Sequence, residues 1–165
     1  MKHPTSIMIW GCMAAGGVGR ICIVEGTVNA RKYIDSILAP KMLPSARALF
    51  PDDPENPNQN PDFVFQQDNA PCHIAQACQA WFQTNGIQVL PWPGNSPDLN
   101  PIENLWSRLK RLVARRRPSN KRELIEAVIA SWHHVIQPAD LKSLVQSMPR
   151  RCEEVIKAKG FPPRY

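Results

Sequence analysis

No lysine or arginine occurs between Ala48 and Ser107, and no aspartate or glutamate between Arg108 and Arg122. Long apolar runs are missing too. None approaches the ~18 residues a membrane-crossing helix needs, which excludes such a helix. There is no CxxC pair, and the five cysteines (Cys12, Cys22, Cys72, Cys78, Cys152) are odd in number and scattered. That argues against a disulfide framework and for reduced, mostly buried thiols in an intracellular protein. Cys72, His73 and Cys78 lie close in sequence, but their spacing matches no zinc finger and offers no fourth ligand. Met1-Lys2-His3-Pro4 leads into a strand-like run without an apolar core, so no secretory signal is expected.

What is present suits one folded domain over residues 1–165. Hydrophobic residues make up 43% of the chain and five are tryptophan, too many for a disordered polymer. The net charge of +6 is strongly polarised. Seven acids (Asp52, Asp53, Glu55, Asp62, Asp68, Asp98, Glu103) fill the stretch without bases. Eight bases (Arg108, Lys110, Arg111, Arg115, Arg116, Arg117, Lys121, Arg122) fill the stretch without acids. A protein that handles a polyanion and holds divalent cations suits that order, while a solvated helix face explains a basic run by itself.

The apolar pattern indicates an α/β fold. Ile7–Met13 and Arg20–Glu25 read as a hairpin, with Gly16, Gly17 and Gly19 in the turn. Asn29 caps a helix carrying Tyr33, Ile34, Ile37 and Leu38, which Pro40 and Pro44 should kink or interrupt, with a further turn reaching Phe50. Residues 51–61 hold four prolines and no apolar side chain, the composition of a surface loop. Phe63–Asp68 reads as a strand and Ile87–Leu90 as another. Between them, Ala75, Cys78, Trp81 and Phe82 mark a helix that Asn85-Gly86 ends. Strand, helix and strand in that order make a βαβ unit with parallel pairing.

The strongest helix follows, with Asn100 as cap, Pro101 at its first position, and Ile102, Leu105, Trp106, Leu109, Leu112 and Val113 on one stripe. Pro118 stops it. Ser119 opens another through Leu124, Ile125, Val128, Ile129 and Trp132, and a last helical region spans about 139–159 with a break near Pro149. Residues 119–165 thus form a helical C-terminal part.

Asp68 ends a strand, the position where open α/β sheets place their ligands. Glu103 stands in the first turn of the strongest helix, aligned with Ser107 and Lys110 beside the apolar stripe. Two carboxylates converging there suit Mg2+ and phosphoryl transfer. Each also has a structural explanation. Glu103 is placed to close a capping box on Asn100 or to sit in the helix dipole, and Asp68-Asn69 to shape a turn. Asp98 reads as a turn residue, and His133 and His134 as residues on a helix face.

The string Gln67-Asp68-Asn69-Ala70-Pro71-Cys72-His73, then Trp92-Pro93, then Ser96-Pro97-Asp98-Leu99-Asn100-Pro101-Ile102-Glu103-Asn104-Leu105-Trp106 resembles the DDE transposases of the Tc/mariner superfamily. Thirty-four residues separate Asp68 from Glu103, the spacing of the Tc-like branch. Met8-Ile9-Trp10-Gly11-Cys12, the Gly16-Gly17-x-Gly19 turn and the closing Gly160-Phe161-Pro162-Pro163-Arg164-Tyr165 are similar to that family too. The resemblance implies an RNase H-like fold and makes Asp68 and Glu103 the second and third catalytic acids. It also implies two divalent ions, Mg2+ or Mn2+, held roughly 3.5–4 Å apart for cleavage and strand transfer of transposon DNA. Asn69 and His73 lie beside that site in the motif, with roles in positioning substrate or ordering the ligands. For His73, a helix-start residue satisfied by backbone is the equal alternative.

The family's first acid ends the first, central strand of its fold. The aspartates before Asp68 are Asp35, in a helix, and Asp52, Asp53 and Asp62, in or beside the proline-rich loop. None follows a run of strand formers. The expectation is therefore a chain that begins after that strand, without the helix-turn-helix region that recognises transposon ends. Its metal binding should be weak, its sheet divided into two halves with open edges, and its nuclease activity absent when alone. The basic residues from Arg108 to Arg122 would contact double-stranded DNA through phosphates. The alternatives are a non-catalytic DNA-binding or transposase-interacting remnant and a product without function. A homo-oligomer or a full-length transposase is the expected protein partner, a nuclear location is expected, and no membrane is involved.

Overall fold

Strand-forming residues on either side of Ala15-Gly16 fold back on each other as β1 (Met8–Ala14) and β2 (Gly17–Val24), a two-stranded sheet. The computed structural model describes residues 6–51, 63–94, 96–134 and 136–160. The proline-rich stretch after Pro51, with Asp52, Asp53 and Asp62, lies outside them, as do the residues after Gly160. Gly17 and Gly19 belong to β2 rather than to the turn, which corrects the reading from composition. A Cβ on Gly19 would stand 2.4 Å from Cys12 Sγ and 2.6 Å from Ser45 Cβ. Its glycine therefore serves close packing, and Arg20 N–H donates to Ser45 Oγ at 2.8 Å across the same seam.

Asn29 caps the next segment, its side chain accepting from Lys32 N–H at 2.8 Å. The segment runs as α1 (Ala30–Tyr33), a π-helical stretch (Ile34–Met42) and α2 (Leu43–Leu49). Pro40 and Pro44 do not break it. Pro40 has no N–H to donate and would crowd the carbonyl four residues back, and the wider π register around it absorbs that misfit. Pro44 falls in the first turn of α2, where a missing N–H costs little.

The expected βαβ unit is present in reduced form. Among the described residues its parallel pairing is one bridge, Phe65 to Val89, with Phe65 N–H donating to the Gln88 carbonyl and Leu90 N–H to the Phe65 carbonyl, each at 2.8 Å. No ladder joins this pair to the hairpin among the described residues, so the two half-sheets are separate. The intervening helix is split into α3 (Pro71–Ile74) and α4 (Gln76–Thr84) by Ala75, whose backbone is extended (φ −58°, ψ 142°). The carbonyls freed at the break find partners: Cys78 Sγ donates to Cys72 O at 3.0 Å, and Gln79 Nε2 to His73 O at 3.4 Å. Gly86, at φ +64°, takes the left-handed position that closes α4.

The chain divides into two compact units. The first holds Ile9–Cys12 and Gly19–Gly94. Its core is built from Tyr33, Ile37, Leu38, Met42, Cys78, Phe82 and Ile87. Phe65 and Trp81 lean on Phe82, with ring centres 5.7 and 5.5 Å away. Burying a ring such as Phe82 stabilises by about 1.5–3 kcal/mol. Cys78 alone among the cysteines is fully buried. Cys12, Cys22 and Cys72 are half-buried and Cys152 is exposed, which corrects the expectation of mostly buried thiols, while all five are free.

The second unit contains the helices of residues 96–160. A short 3-10 turn (Pro97–Leu99) leads to α5 (Pro101–Arg115), then α6 (Lys121–His134), α7 (Pro138–Gln146) and α8 (Met148–Lys157). The stripe on α5 buries Leu105, Leu109 and Val113 with Val128, Trp132 and Leu141, and Trp106 stacks on Trp132 at 5.1 Å. Asn100 caps α5 as expected. At α6 the capping side chain is Asn120 rather than Ser119. It accepts from Glu123 N–H at 3.0 Å and donates to the Glu123 carboxylate at 2.9 Å. Ser147 makes the break before Pro149.

Candidate active site and nucleic-acid interface

Asp68 emerges where the extended stretch around Phe65 ends, and the turn after it is shaped by its own side chain. Ala70 N–H donates to Oδ1 at 3.1 Å. The turn starts α3, which brings His73 back over the carboxylate, with Nδ1 2.6 Å from the same Oδ1. A carboxylate only accepts, so Nδ1 carries the proton in this pair. Asp68 is largely exposed and His73 mostly enclosed. Oδ2 has no partner among the described residues.

A buried scaffold lies behind the pair. The His73 ring packs on the Tyr33 ring with centres 4.3 Å apart. Tyr33 is buried, and its hydroxyl donates to Gln67 Oε1 at 2.9 Å. Burial pushes the Tyr33 phenol well above its ordinary pKa, against a smaller lowering by the Trp10 side chain, so the group stays a neutral donor. With Oε1 taken, Gln67 turns Nε2 toward the His73 carbonyl at 3.5 Å. Tyr33 and Gln67 were not singled out from the sequence. Tyr33 reads there as one more member of an apolar helix stripe, and the signal for Gln67 is its place directly before Asp68.

Asn69 faces another way. Its Nδ2 donates to the Trp92 carbonyl at 2.8 Å, which ties the Asp68 turn to the Trp92-Pro93 loop. Two parts of the family motif thus meet through a single hydrogen bond.

Glu103, in the other unit, is exposed on the first turn of α5. The capping-box alternative does not hold: Asn100 Oδ1 accepts from Ile102 N–H at 3.4 Å, and the Glu103 carboxylate has no partner among the described residues. The turn before α5 is fixed by Arg151, a buried guanidinium that donates to Asp98 O at 2.9 Å and to Ser147 Oγ at 2.8 Å. Arg151 was also missed, because a single arginine in a charged helix carries no sequence signal of burial. Asp98 is a turn residue, as expected.

Asp68 Oδ2 and the Glu103 carboxylate are exposed, unpaired hard oxygens, the donor chemistry that Mg2+ and Mn2+ take. Among the described residues no three His, Cys, Asp or Glu side chains gather into a metal-binding group, and the Cys72, His73, Cys78 set makes none. Asp35 is committed elsewhere, ion-paired to Arg31 at 2.6 Å on the helix surface.

The basic run divides by partner. Arg108 bridges Asp140 at 2.7 Å and ties α5 to α7, and Arg122 pairs with Glu126 at 3.2 Å. Lys110, Arg111, Arg115, Arg116 and Arg117 have no hydrogen-bond or ion-pair side-chain partner among the described residues. Lys110, Arg111, Arg115, Arg116, Arg117 and Lys121 are all exposed. Arg117 closes α5 in the left-handed conformation (φ +48°), a position that favours glycine. His133 and His134 are exposed at the end of α6.

Comparison with known proteins places this arrangement. A family model described as DDE superfamily endonuclease matches residues 1–125. The Tcb1 transposase of the Caenorhabditis briggsae transposable element is 38% identical over 166 residues, covering all of this chain and 57% of that protein. The catalytic domain of the Mos1 mariner transposase of Drosophila mauritiana, solved with raltegravir and Mg, superposes with a TM-score of 0.77 at 25% identity, over 94% of this chain and 76% of that one. A Mos1 paired-end complex with the left transposon end gives 0.78 at 21% identity, over 97% and 46%. The fold is RNase H-like, the class that the family resemblance had implied. The chain belongs to the DDE superfamily endonucleases, among the Tc/mariner transposases. It spans little more than half the length of the Tcb1 transposase.

Proposed function

We propose that this chain carries the second and third catalytic acids of a transposase catalytic domain, Asp68 and Glu103, for divalent-metal-dependent cleavage and strand transfer of DNA. The observation that carries the reading is that both motif carboxylates present exposed oxygens that no lysine or arginine occupies among the described residues. Bound Mg2+ or Mn2+ would activate water or a 3′-hydroxyl and stabilise the leaving oxygen. Asp68 and Glu103 would each supply carboxylate oxygens as ligands for divalent ions, while His73 orders the Asp68 carboxylate and Asn69 sets the loop at Trp92. A left-end transposon complex of Mos1 supports DNA as the substrate class.

Taken alone, the 165 residues are nuclease-deficient. Asp35 is engaged by Arg31 on a helix, so it offers no third carboxylate at a strand end. Nicking of supercoiled duplex DNA in Mg2+ or Mn2+ tests this. Robust nicking that disappears in Asp68→Ala and Glu103→Ala would overturn the claim of inactivity and keep the site assignment.

A second reading is favoured by the unpaired bases at the end of α5. In it the chain binds duplex DNA, or a homologous transposase chain, without cutting. Arg115, Arg116 and Arg117, with Lys110, Arg111, Lys121 and Arg122 nearby, would contact phosphates independently of sequence, and the same stretch would serve nuclear entry. Arg108, which already bridges α5 to α7 through Asp140, would contribute least to that contact. Duplex binding that survives high salt and neutralisation of Arg115–Arg117 would count against this reading.

A further inference from the structure

Asp68 is not a free surface carboxylate, because its two oxygens have different surroundings. Oδ1 receives the Ala70 N–H at 3.1 Å and faces His73 Nδ1 at 2.6 Å. Oδ2 receives nothing from the described residues and lies on the exposed side. An isolated carboxylate on a turn rotates about its last torsion and presents either oxygen. Here the rotation is fixed by a chain of contacts reaching into the core: Asp68 to His73, the His73 ring tilted against the Tyr33 ring, Tyr33 hydroxyl to Gln67 Oε1, and Gln67 Nε2 back to the His73 carbonyl. Tyr33 is 1% exposed and Gln67 9%, so the anchor is buried where the carboxylate itself is exposed.

We propose that Tyr33, Gln67 and His73 form a positioning network that keeps Oδ1 of Asp68 turned inward and presents Oδ2 as the oxygen that meets a divalent cation. The inference rests on the reading of Asp68 as a metal ligand and adds to it the residues that aim the ligand. The four residues share two backbone segments. Gln67, Asp68 and His73 lie on the strand end and α3, whereas Tyr33 comes from α1, thirty-five residues before Asp68 in sequence. Tyr33 therefore makes the aim of the carboxylate depend on the packing of α1 against α3. Removing a partner that orients a metal ligand weakens metal affinity by about 10- to 100-fold.

The test is Mn2+ binding to the 165-residue chain, followed by the decrease of the free Mn2+ electron paramagnetic resonance signal, with Mg2+ as competitor. Folding of each variant is followed by circular dichroism. Asp68→Asn should remove the binding. Tyr33→Phe deletes one oxygen and keeps the ring under His73, and it should weaken Mn2+ binding about 10-fold. His73→Ala should weaken it at least as much. His73→Asn, whose amide N–H can replace the Nδ1 donor, should recover most of the affinity. A purely structural role for the network predicts affinity that follows the folded fraction, with His73→Asn no better than His73→Ala. Unchanged affinity in folded Tyr33→Phe and His73→Ala, alongside abolished binding in Asp68→Asn, overturns the positioning network and leaves Asp68 as a ligand. Binding in the unaltered chain that ignores Asp68→Asn, or no binding at all, overturns both.

Discussion

His73 Nδ1 and Asp68 Oδ1, five positions apart in sequence, stand 2.6 Å from each other, and the same oxygen closes the turn between them through Ala70 N–H. One oxygen of Asp68 is thus committed to local folding. The two descriptions weighed for Asp68, turn former and metal ligand, are therefore compatible. Oδ1 makes the turn and Oδ2 remains available.

The seam between the hairpin and the following helix depends on an absent side chain. A Cβ at residue 19 meets Cys12 Sγ at 2.4 Å and Ser45 Oγ at 2.8 Å, both shorter than any relaxed approach. Gly19→Ala should destabilise the first unit by roughly 1–3 kcal/mol. Urea unfolding followed by tryptophan fluorescence measures it. Substitution of Gly16, where a Cβ meets nothing within 4 Å, serves as the control.

Neutralising Arg115, Arg116 and Arg117 together should weaken duplex DNA binding and flatten its salt dependence. The log–log slope should fall by about 0.9 for each phosphate that the protein no longer neutralises. Arg108→Ala should behave differently. Its partner is Asp140, about one-third exposed, and such pairs stabilise by about 0–1 kcal/mol. A small drop in melting temperature with an unchanged salt slope is the expected result.

Glu123 accepts from Ser119 N–H at 2.7 Å and from the Ser119 hydroxyl at 2.8 Å, and these hydrogen bonds hold its carboxyl below the ordinary value of 4.5. A depressed folded-state pKa gives stability that is complete above the unfolded value and lost as pH falls through the folded one. The α6 cap should therefore weaken below about pH 4.5 and not above it. Melting curves of the native chain and Glu123→Gln across that range should differ near neutrality and converge in acid.

Among the described residues Arg151 is buried without a carboxylate and is satisfied by Asp98 O and Ser147 Oγ. Arg151→Met keeps the packing and removes both donors, so it should cost about 1–3 kcal/mol. Because Asp98 lies in the turn that leads into α5, hydrogen exchange should rise at Leu99 and Asn100 more than in the middle of α5.

The sequence by itself determined the hairpin, the capped helices from Asn29 and Asn100, the breaks at Asn85-Gly86 and Pro118, and the two motif carboxylates. These depend on local chemistry: caps, turn formers, period and spacing act over a few residues. The motif also carried the family, because its residue types sit at fixed intervals along the chain. Only the tertiary structure decided that Pro40 lies within a π turn rather than at a kink, and that the βαβ pairing shrinks to the Phe65–Val89 bridge. It likewise decided that Gly19 serves packing instead of turning, that Arg108 holds α7, and that Tyr33 stands behind Asp68 and His73. Each of those outcomes depends on a partner distant in sequence, such as Ser45 for Gly19, Asp140 for Arg108 and Gln67 for Tyr33. Local pattern carries no information about which surfaces meet. Those surfaces come together only when the chain has folded.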